Sequence, residues 1–492
     1  MLLCTPANTF NFEYHFKLKT MKIEQIYTGC LAQGAYYIES KGEVAIIDPL
    51  REVGPYIKKA KLDNAKIKYI FETHFHADFV SGHVTLAEKT GASIIYGPNA
   101  ETTFKSVIAK DGQEFKLGDV VIKVLHTPGH TMESTSYLLK DETGKDHALF
   151  SGDTLFLGDV GRPDLAQKAA SMTQEDLAGI LFDSLRNKIM TLSNDVIVYP
   201  AHGAGSACGK NLSKETVGTI GGQKETNYAL RADMTKEEFI KEVTDGLLPP
   251  PKYFPLNVKM NKEGYEDIEK VIARGSHALS PKAFEMAANE TDAIVLDVRN
   301  EKEFAKGHVP RSIFIGLDGD FAPWVGALIG DVTQAILLIT PKGREEETIT
   351  RLSRVGFDNT LGYLKGGFKA WKQASMEYDT VTSIPSSQLK EIIADSDEQI
   401  PEVFDVRRTS EYSAEHLVNA KNSPLSFLND HLAELPEKEI FYIHCAAGYR
   451  SMIAASILKS RGIHNLIDIS GGFAAIKETG LETTNYVCPS TL

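Results

Sequence analysis

Cysteine is scarce in this chain: five residues in 492, at positions 4, 30, 208, 445 and 488, with no Cys-x-x-Cys pair. An odd, widely spaced set excludes a disulfide framework and fits a reducing compartment. No apolar run approaches the span of a membrane helix. Met1–Thr20 lacks the basic start and apolar core of a secretory signal. Positive charge is also in deficit, with 53 Lys and Arg against 66 Asp and Glu, a formal net charge of −13. That balance argues against a phosphate backbone or an anionic membrane surface as partner, and reads most simply as solubility. The chain is therefore expected in the cytoplasm, with neither nucleic acid nor membrane bound.

What is present is a long, ordinary globular composition, 42% hydrophobic and 24% charged. Such a length needs two to four cores. A strand-like pattern starts at Met21 (Met21-Lys22-Ile23-Glu24-Gln25-Ile26-Tyr27). Residues 1–20 are expected to be an upstream extension with little order, which mass spectrometry of the native N-terminus would check.

The densest chemistry lies in Thr73-His74-Phe75-His76-Ala77-Asp78-Phe79, followed by Gly82 and His83. Imidazoles and a carboxylate at alternating positions can converge on one metal from a short loop. The apolar run Ile67 to Phe71 reads as a buried strand, so the loop sits at a strand end, where α/β folds place chemistry. Three more ligand types follow: His130 in Thr127-Pro128-Gly129-His130-Thr131, Asp153 in Ser151-Gly152-Asp153-Thr154, and His202 in Tyr199-Pro200-Ala201-His202-Gly203. Two imidazoles with one carboxylate make the facial triad of non-haem Fe(II), whereas three imidazoles and water suit hydrolytic zinc. His74, His76, His130 and Asp153 can furnish either set.

The ordered set His-x-His-x-Asp, His, Asp, His resembles the metallo-β-lactamase superfamily, which implies an αββα sandwich with metal at one edge. Two-metal members continue the first motif with an adjacent His. Here that position is Phe79, so one metal per chain is expected. The persulfide dioxygenase branch holds a single iron through residues matching His74, His130 and Asp153. The resemblance extends to Gly161-Arg162-Pro163-Asp164, although Pro163 and Phe79 depart from the animal enzymes. His76, Asp78 and His202 remain as supporting or alternative ligands, and Arg162 as a substrate contact. Zinc remains possible in purified protein.

The C-terminal half repeats itself. Ala293-Ile294-Val295-Leu296-Asp297-Val298-Arg299 returns as Glu402-Val403-Phe404-Asp405-Val406-Arg407, and Leu364-Lys365-Gly366-Gly367-Phe368 as Ile469-Ser470-Gly471-Gly472-Phe473. The period, 471 − 366 = 105 residues, makes each copy a domain. Short β runs alternating with helical stretches indicate α/β units with parallel sheets. The expected division is 21–274, 275–380 and 381–492.

The second copy contains Tyr442-Ile443-His444-Cys445-Ala446-Ala447-Gly448-Tyr449-Arg450-Ser451 before an apolar helical run. A Cys at a strand end, with a tight loop and a helix behind it, gains backbone donors and the helix dipole, both of which favour thiolate. The segment resembles the rhodanese loop Cys-x-x-Gly-x-Arg, which implies sulfur transfer with Cys445 and Arg450 as catalytic residues. Cysteine phosphatases of related fold need one residue more between Cys and Arg. Counting back 105 from Cys445 lands on Thr340, and from Arg450 on Glu345, so the first copy is expected to be inactive, a spacer or docking surface.

A metal domain followed by a silent and an active-looking rhodanese resembles bacterial persulfide dioxygenase–sulfurtransferase fusions. That resemblance implies oxidation of a thiol persulfide (of glutathione, coenzyme A, bacillithiol or cysteine) by O2 at Fe(II), giving sulfite and free thiol. Cys445 would carry a sulfane sulfur to sulfite, forming thiosulfate. Cys208, six residues after His202 in a Gly-rich loop, is a candidate persulfide relay; an unchanged Cys208→Ser protein would remove that role. The alternatives are a glyoxalase II-type zinc thiolester hydrolase joined to a sulfurtransferase, and a non-catalytic persulfide-responsive binding protein. A homo-oligomer is compatible with the silent copy.

Overall fold

The computed structural model describes residues 21–167, 171–210, 212–396 and 400–488, so the expectation for residues 1–20 lies outside them. Two six-stranded sheets form the first half. One takes its strands in the order Lys22–Thr28, Gln33–Ser40, Glu43–Ile47, Lys66–Phe71, Ser93–Tyr96, Val107–Ile108. The other runs Gly218–Thr219, Ile197–Pro200, Asp146–Gly152, Thr135–Lys140, Val120–His126, Glu114–Leu117. Their facing side chains, among them Ile38, Ile47 and Phe71 from one sheet and Ile122, Tyr137 and Phe150 from the other, fill a shared core. The opposite faces are apolar too and are covered by helices, Gly54–Leu62 and His83–Thr90 on one side, Gln174–Ser184 and Lys236–Thr244 on the other. The expected αββα sandwich is therefore what the chain adopts.

The second half contains two five-stranded sheets of one topology. The first is ordered Ala278–Leu279, Thr360–Leu364, Ile336–Ile339, Ile294–Asp297, Ile313–Phe314, and every pair in it is parallel. The second is ordered Ser383–Pro385, Leu466–Ser470, Phe441–His444, Glu402–Asp405, Lys421–Asn422, also parallel throughout. The repeated motifs interlock in both. Arg407 pairs with Asp405 through Nη2–Oδ2 at 2.5 Å and lies 4.0 Å over the Phe473 ring. Arg299 does the same with Asp297 at 2.6 Å and with Phe368 at 4.5 Å. Asp-Val-Arg and Gly-Gly-Phe thus form one buried ion pair capped by an aromatic face, a packing unit that a silent copy needs as much as an active one.

The first of these two copies packs against the sandwich. Arg51 is fully buried and forks onto Asp358 with bonds of 2.7 and 2.6 Å, while donating to the carbonyls of Ser353 and Glu266. Arg354 pairs with Glu52, and its carbonyl accepts from the Val80 N–H at 2.7 Å, next to Phe79 at the end of the His74–Asp78 loop. Leu31, Leu50, Ala77 and Phe79 pack in one continuous apolar core with Phe321, Val325 and Leu352. Asp358→Ala would leave the Arg51 charge buried and unpaired, which costs about 3–5 kcal/mol. The expected result is a denaturation midpoint shifted to lower denaturant, with metal released in the same transition. An unchanged midpoint would show that this junction does not hold the loop.

Candidate metal centre and sulfur-transfer loop

Every ligand-type residue read from the sequence follows the C-terminal end of a strand. The His74–Asp78 loop follows Lys66–Phe71, His130 follows Val120–His126, Asp153 follows Asp146–Gly152 and His202 follows Ile197–Pro200. Strand 146–152 is parallel to 197–200, and is antiparallel to 135–140, which is in turn antiparallel to 120–126. Strands 120–126, 146–152 and 197–200 therefore run in one direction, and their loops emerge together at one edge. Gly161 closes the arrangement: a Cβ there would lie 2.0 Å from the Asp153 carbonyl oxygen and 2.9 Å from His130 Nδ1.

All these side chains are buried. His130 Nε2 lies 3.3 Å and His74 Nε2 3.8 Å from Asp153 Oδ2. His202 Nε2 lies 3.6 Å from Asp153 Oδ1 and 3.4 Å from Asp78 Oδ2. Two donors on one ion with bonds of about 2.0–2.2 Å can stand at most roughly 4.4 Å apart, so these spacings suit metal ligation.

The hydrogen bonds behind the rings fix which nitrogen is free. His130 Nδ1 lies 2.8 Å from the Arg162 carbonyl and His202 Nδ1 3.3 Å from the Ala32 carbonyl. A carbonyl only accepts, so both protons sit on Nδ1 and both Nε2 lone pairs face the centre. For His74, the Thr73 hydroxyl donates to Asp48 Oδ2 at 2.9 Å and so accepts from Nδ1 at 3.0 Å. Burial, and then repulsion from His76, His130 and His202, holds His74 well below the usual imidazole range, in the neutral form that ligates.

His76 is engaged differently. Its Nε2 lies 3.1 Å from Asp48 Oδ1 and 3.5 Å from Glu72 Oε2. Burial opposes its charge, but the Asp48 carboxylate and its hydrogen bond, with Glu72 and Asp78, raise it to about 9. Two of its neighbours, Asp48 and Glu72, were missed in the sequence. Asp48 ends the apolar strand Glu43–Ile47, and a carboxylate at a strand end was the available signal.

Metal fit rests on the polar atoms themselves. Both Asp153 carboxylate oxygens, Asp78 Oδ1 and His202 Nε2 are buried and have no hydrogen-bond partner. Leaving such atoms bare costs free energy that a cation would recover. His74, His130 and Asp153 form one candidate ligand group, and His76, Asp78 and His202 another. Phe79 is wholly buried, its ring 4.4 Å from that of His76. Arg162 is occupied: its guanidinium forks onto Asp164 at 2.6 and 2.7 Å and reaches the Ala207 and Leu248 carbonyls. Burial, and then the Asp78 and Asp153 charges, push the Cys208 thiol well above its ordinary range.

The second rhodanese-type copy sets Cys445 directly after the strand Phe441–His444, buried, with the Gly448 N–H donating to Sγ at 3.1 Å. Gly448 has φ +115° and begins the helix Tyr449–Ser460. Gly472 allows a second backbone approach, since a Cβ there would lie 2.4 Å from the Cys445 carbonyl oxygen, which accepts from Phe473 N–H at 2.7 Å. Arg450 does not stand free at the rim; Glu411 holds it at 2.5 and 2.8 Å. Tyr449 reaches across to the silent copy and donates to the Gly316 carbonyl at 2.8 Å. In that copy Thr340 follows the strand Ile336–Ile339 just as Cys445 follows its own, so the counted correspondence holds in space.

A model of the metallo-beta-lactamase superfamily matches residues 28–202, and a rhodanese-like domain model matches twice, over 280–374 and 386–479. A metallo-beta-lactamase from Staphylococcus aureus subsp. aureus COL is 31% identical in its crystal structure, with TM-score 0.62, covering 70% of this chain and 99% of that one. The human mitochondrial persulfide dioxygenase is 28% identical over 228 residues, 44% of this chain and 78% of that protein. A hydroxyacylglutathione hydrolase of Brucella anthropi is 40% identical over 139 residues, 28% of this chain. The chain spans 47% of that hydrolase's own length.

Proposed function

Because the chain belongs to the metallo-β-lactamase superfamily and carries two rhodanese-like domains behind that fold, we propose that it oxidises low-molecular-weight thiol persulfides. The reaction is R–S–SH + O2 + H2O → R–SH + SO3²⁻ + 2 H⁺. The observation that carries this reading is the two-imidazole, one-carboxylate group His74, His130 and Asp153 in one chain with the Cys445 loop. A ferrous ion held by that group would supply the redox chemistry that unites O2 with sulfur. The carrier thiol is glutathione, coenzyme A, bacillithiol or cysteine, and the setting cytoplasmic; among the described residues no helix is long and apolar enough to cross a membrane.

The chain's own part is positioning. Thr73, the Arg162 carbonyl and the Ala32 carbonyl each fix one imidazole tautomer, and Asp48 holds both Thr73 and His76. Arg162 thus acts here through its carbonyl; its guanidinium would meet substrate only by leaving Asp164. Cys445 takes up the outer sulfur of the thiol persulfide, Cys–S⁻ + R–S–SH → Cys–S–SH + R–S⁻, and passes it on: Cys–S–SH + SO3²⁻ → Cys–S⁻ + S2O3²⁻ + H⁺. Gly448 N–H and the helix N-terminus stabilise the departing thiolate.

Similarity to a hydroxyacylglutathione hydrolase favours a second reading, zinc-dependent thiolester hydrolysis. O2 consumption by anaerobically iron-loaded protein on adding glutathione persulfide separates the two. Rapid uptake with sulfite and thiosulfate formed is expected. No uptake with any persulfide, together with thiolester cleavage by zinc-loaded protein, would replace the reading.

A further inference from the structure

The Cys445 loop is not held by its own domain alone. Tyr449 follows Gly448, whose N–H donates to Cys445 Sγ at 3.1 Å, and its ring lies in the loop 316–320 of the first copy. The phenol donates to the Gly316 carbonyl at 2.8 Å, and the ring meets Phe314 edge-on with centroids 5.9 Å apart. A Cβ on Gly316 would lie 3.1 Å from the tyrosine ring, and one on Gly319 only 2.3 Å from it. Burial, and then the Asp320, Glu301 and Asp318 carboxylates, push the phenol above its ordinary range, so it stays a donor. Further along the same helix, Ser456 Oγ accepts from Phe314 N–H at 2.9 Å.

Neither Gly316 nor Gly319 has the positive φ that demands glycine; what the missing Cβ provides is room for the tyrosine. The second copy marks the contrast. The N–H groups of Ile315 and Leu317 donate to the Asp297 and Val298 carbonyls, as those of Ser423 and Leu425 donate to Asp405 and Val406. That register matches Gly316 to Pro424 and Gly319 to Phe427. The loop therefore carries the two glycines only in the copy that receives Tyr449.

The consequence falls on the sulfur. Gly448 stands at φ +115°, where glycine has wide freedom, so the direction of its N–H depends on what holds the helix behind it. The Gly448 carbonyl accepts from Met452 N–H and Ser451 Oγ, but both belong to that helix and turn with it. Tyr449 and Ser456 are what fasten the helix to the first copy. We propose that the loop 316–320 is a positioning element for Cys445: by clamping Tyr449 it holds the Gly448 N–H on the thiolate sulfur. The copy without a thiol thus takes part in the chemistry of the other, an inference that rests on the reading of Cys445 as the sulfur carrier.

The test is the pH profile of Cys445 alkylation by iodoacetamide in the full-length protein, followed on the Cys445 peptide by mass spectrometry. Gly319→Ala forces the ring out, whereas Tyr449→Phe removes only the bond to Gly316. In Gly319→Ala, alkylation near neutral pH should slow about tenfold and the profile move to higher pH, because the thiolate is the nucleophile. Tyr449→Phe should shift it the same way by a smaller factor, and should add little to Gly319→Ala, since both act through one ring. If Gly319→Ala does not fold, Tyr449→Phe decides alone. Profiles that match the wild type overturn the clamp, and thiosulfate formed at the wild-type rate in those same proteins would leave the sulfur-transfer reading standing. Shifted profiles beside a wild type that forms no thiosulfate would remove that reading and keep the clamp, so the two fail separately.

Discussion

Asp153→Asn is expected to yield a folded protein that has lost its metal, with affinity lowered by more than about a hundredfold. Even partners that only orient a ligand cost about ten- to a hundredfold, and Asp153 is central to the donor set. Its two oxygens face three imidazoles, Oδ2 towards His74 and His130 and Oδ1 towards His202. Asparagine keeps the shape but offers one acceptor and one donor, so one side of the centre would meet N–H groups. Elemental analysis after dialysis, beside a circular dichroism melting curve, checks both halves. Metal retained at the wild-type level would remove Asp153 from the ligand set.

The other large effect is expected at Cys445. Cys445→Ser should lower sulfur transfer to background and leave O2 uptake intact, with sulfite accumulating in place of thiosulfate. A serine hydroxyl is too weakly acidic to act without a base. The groups around this one favour an anion already formed: the Gly448 N–H on Sγ and the start of the helix Tyr449–Ser460. Because Arg450 is neutralised by Glu411, those backbone groups carry more of the task than the rim charge. The measurement is simultaneous quantification of both oxyanions during persulfide oxidation. Persistent thiosulfate formation would place the carrier sulfur on another cysteine.

The first rhodanese-like copy shows that the repeated motif is a packing unit. Thr340 stands at the position of Cys445, yet Asp297, Arg299 and Phe368 keep the same ion pair and stacked ring as Asp405, Arg407 and Phe473. Those residues hold the sheet together, so their retention says nothing of catalysis. The copy also touches the sandwich. Through Arg51, Asp358 and the Val80–Arg354 backbone bond it braces the loop that presents His74, His76 and Asp78.

Much of this was legible in one dimension, because metal ligands and nucleophiles are specified by residue type and sit at strand ends that apolar runs announce. The sequence by itself carried the motifs whose resemblance implies the αββα sandwich, the repeat behind the tandem parallel sheets, the candidate set His74, His76, Asp78, His130, Asp153 and His202, and a threonine in place of a thiol at Thr340. Tertiary structure alone decided how those residues divide. Whether His76 faces the metal or the pair Asp48 and Glu72, and whether Arg162 offers its guanidinium or its carbonyl, depends on hydrogen bonds to residues far along the chain. Cys208 likewise reaches Asp153 only because its loop folds back. Residue type is written locally, but ring tautomer, charge partner and distance are set by packing between segments that no spacing rule connects.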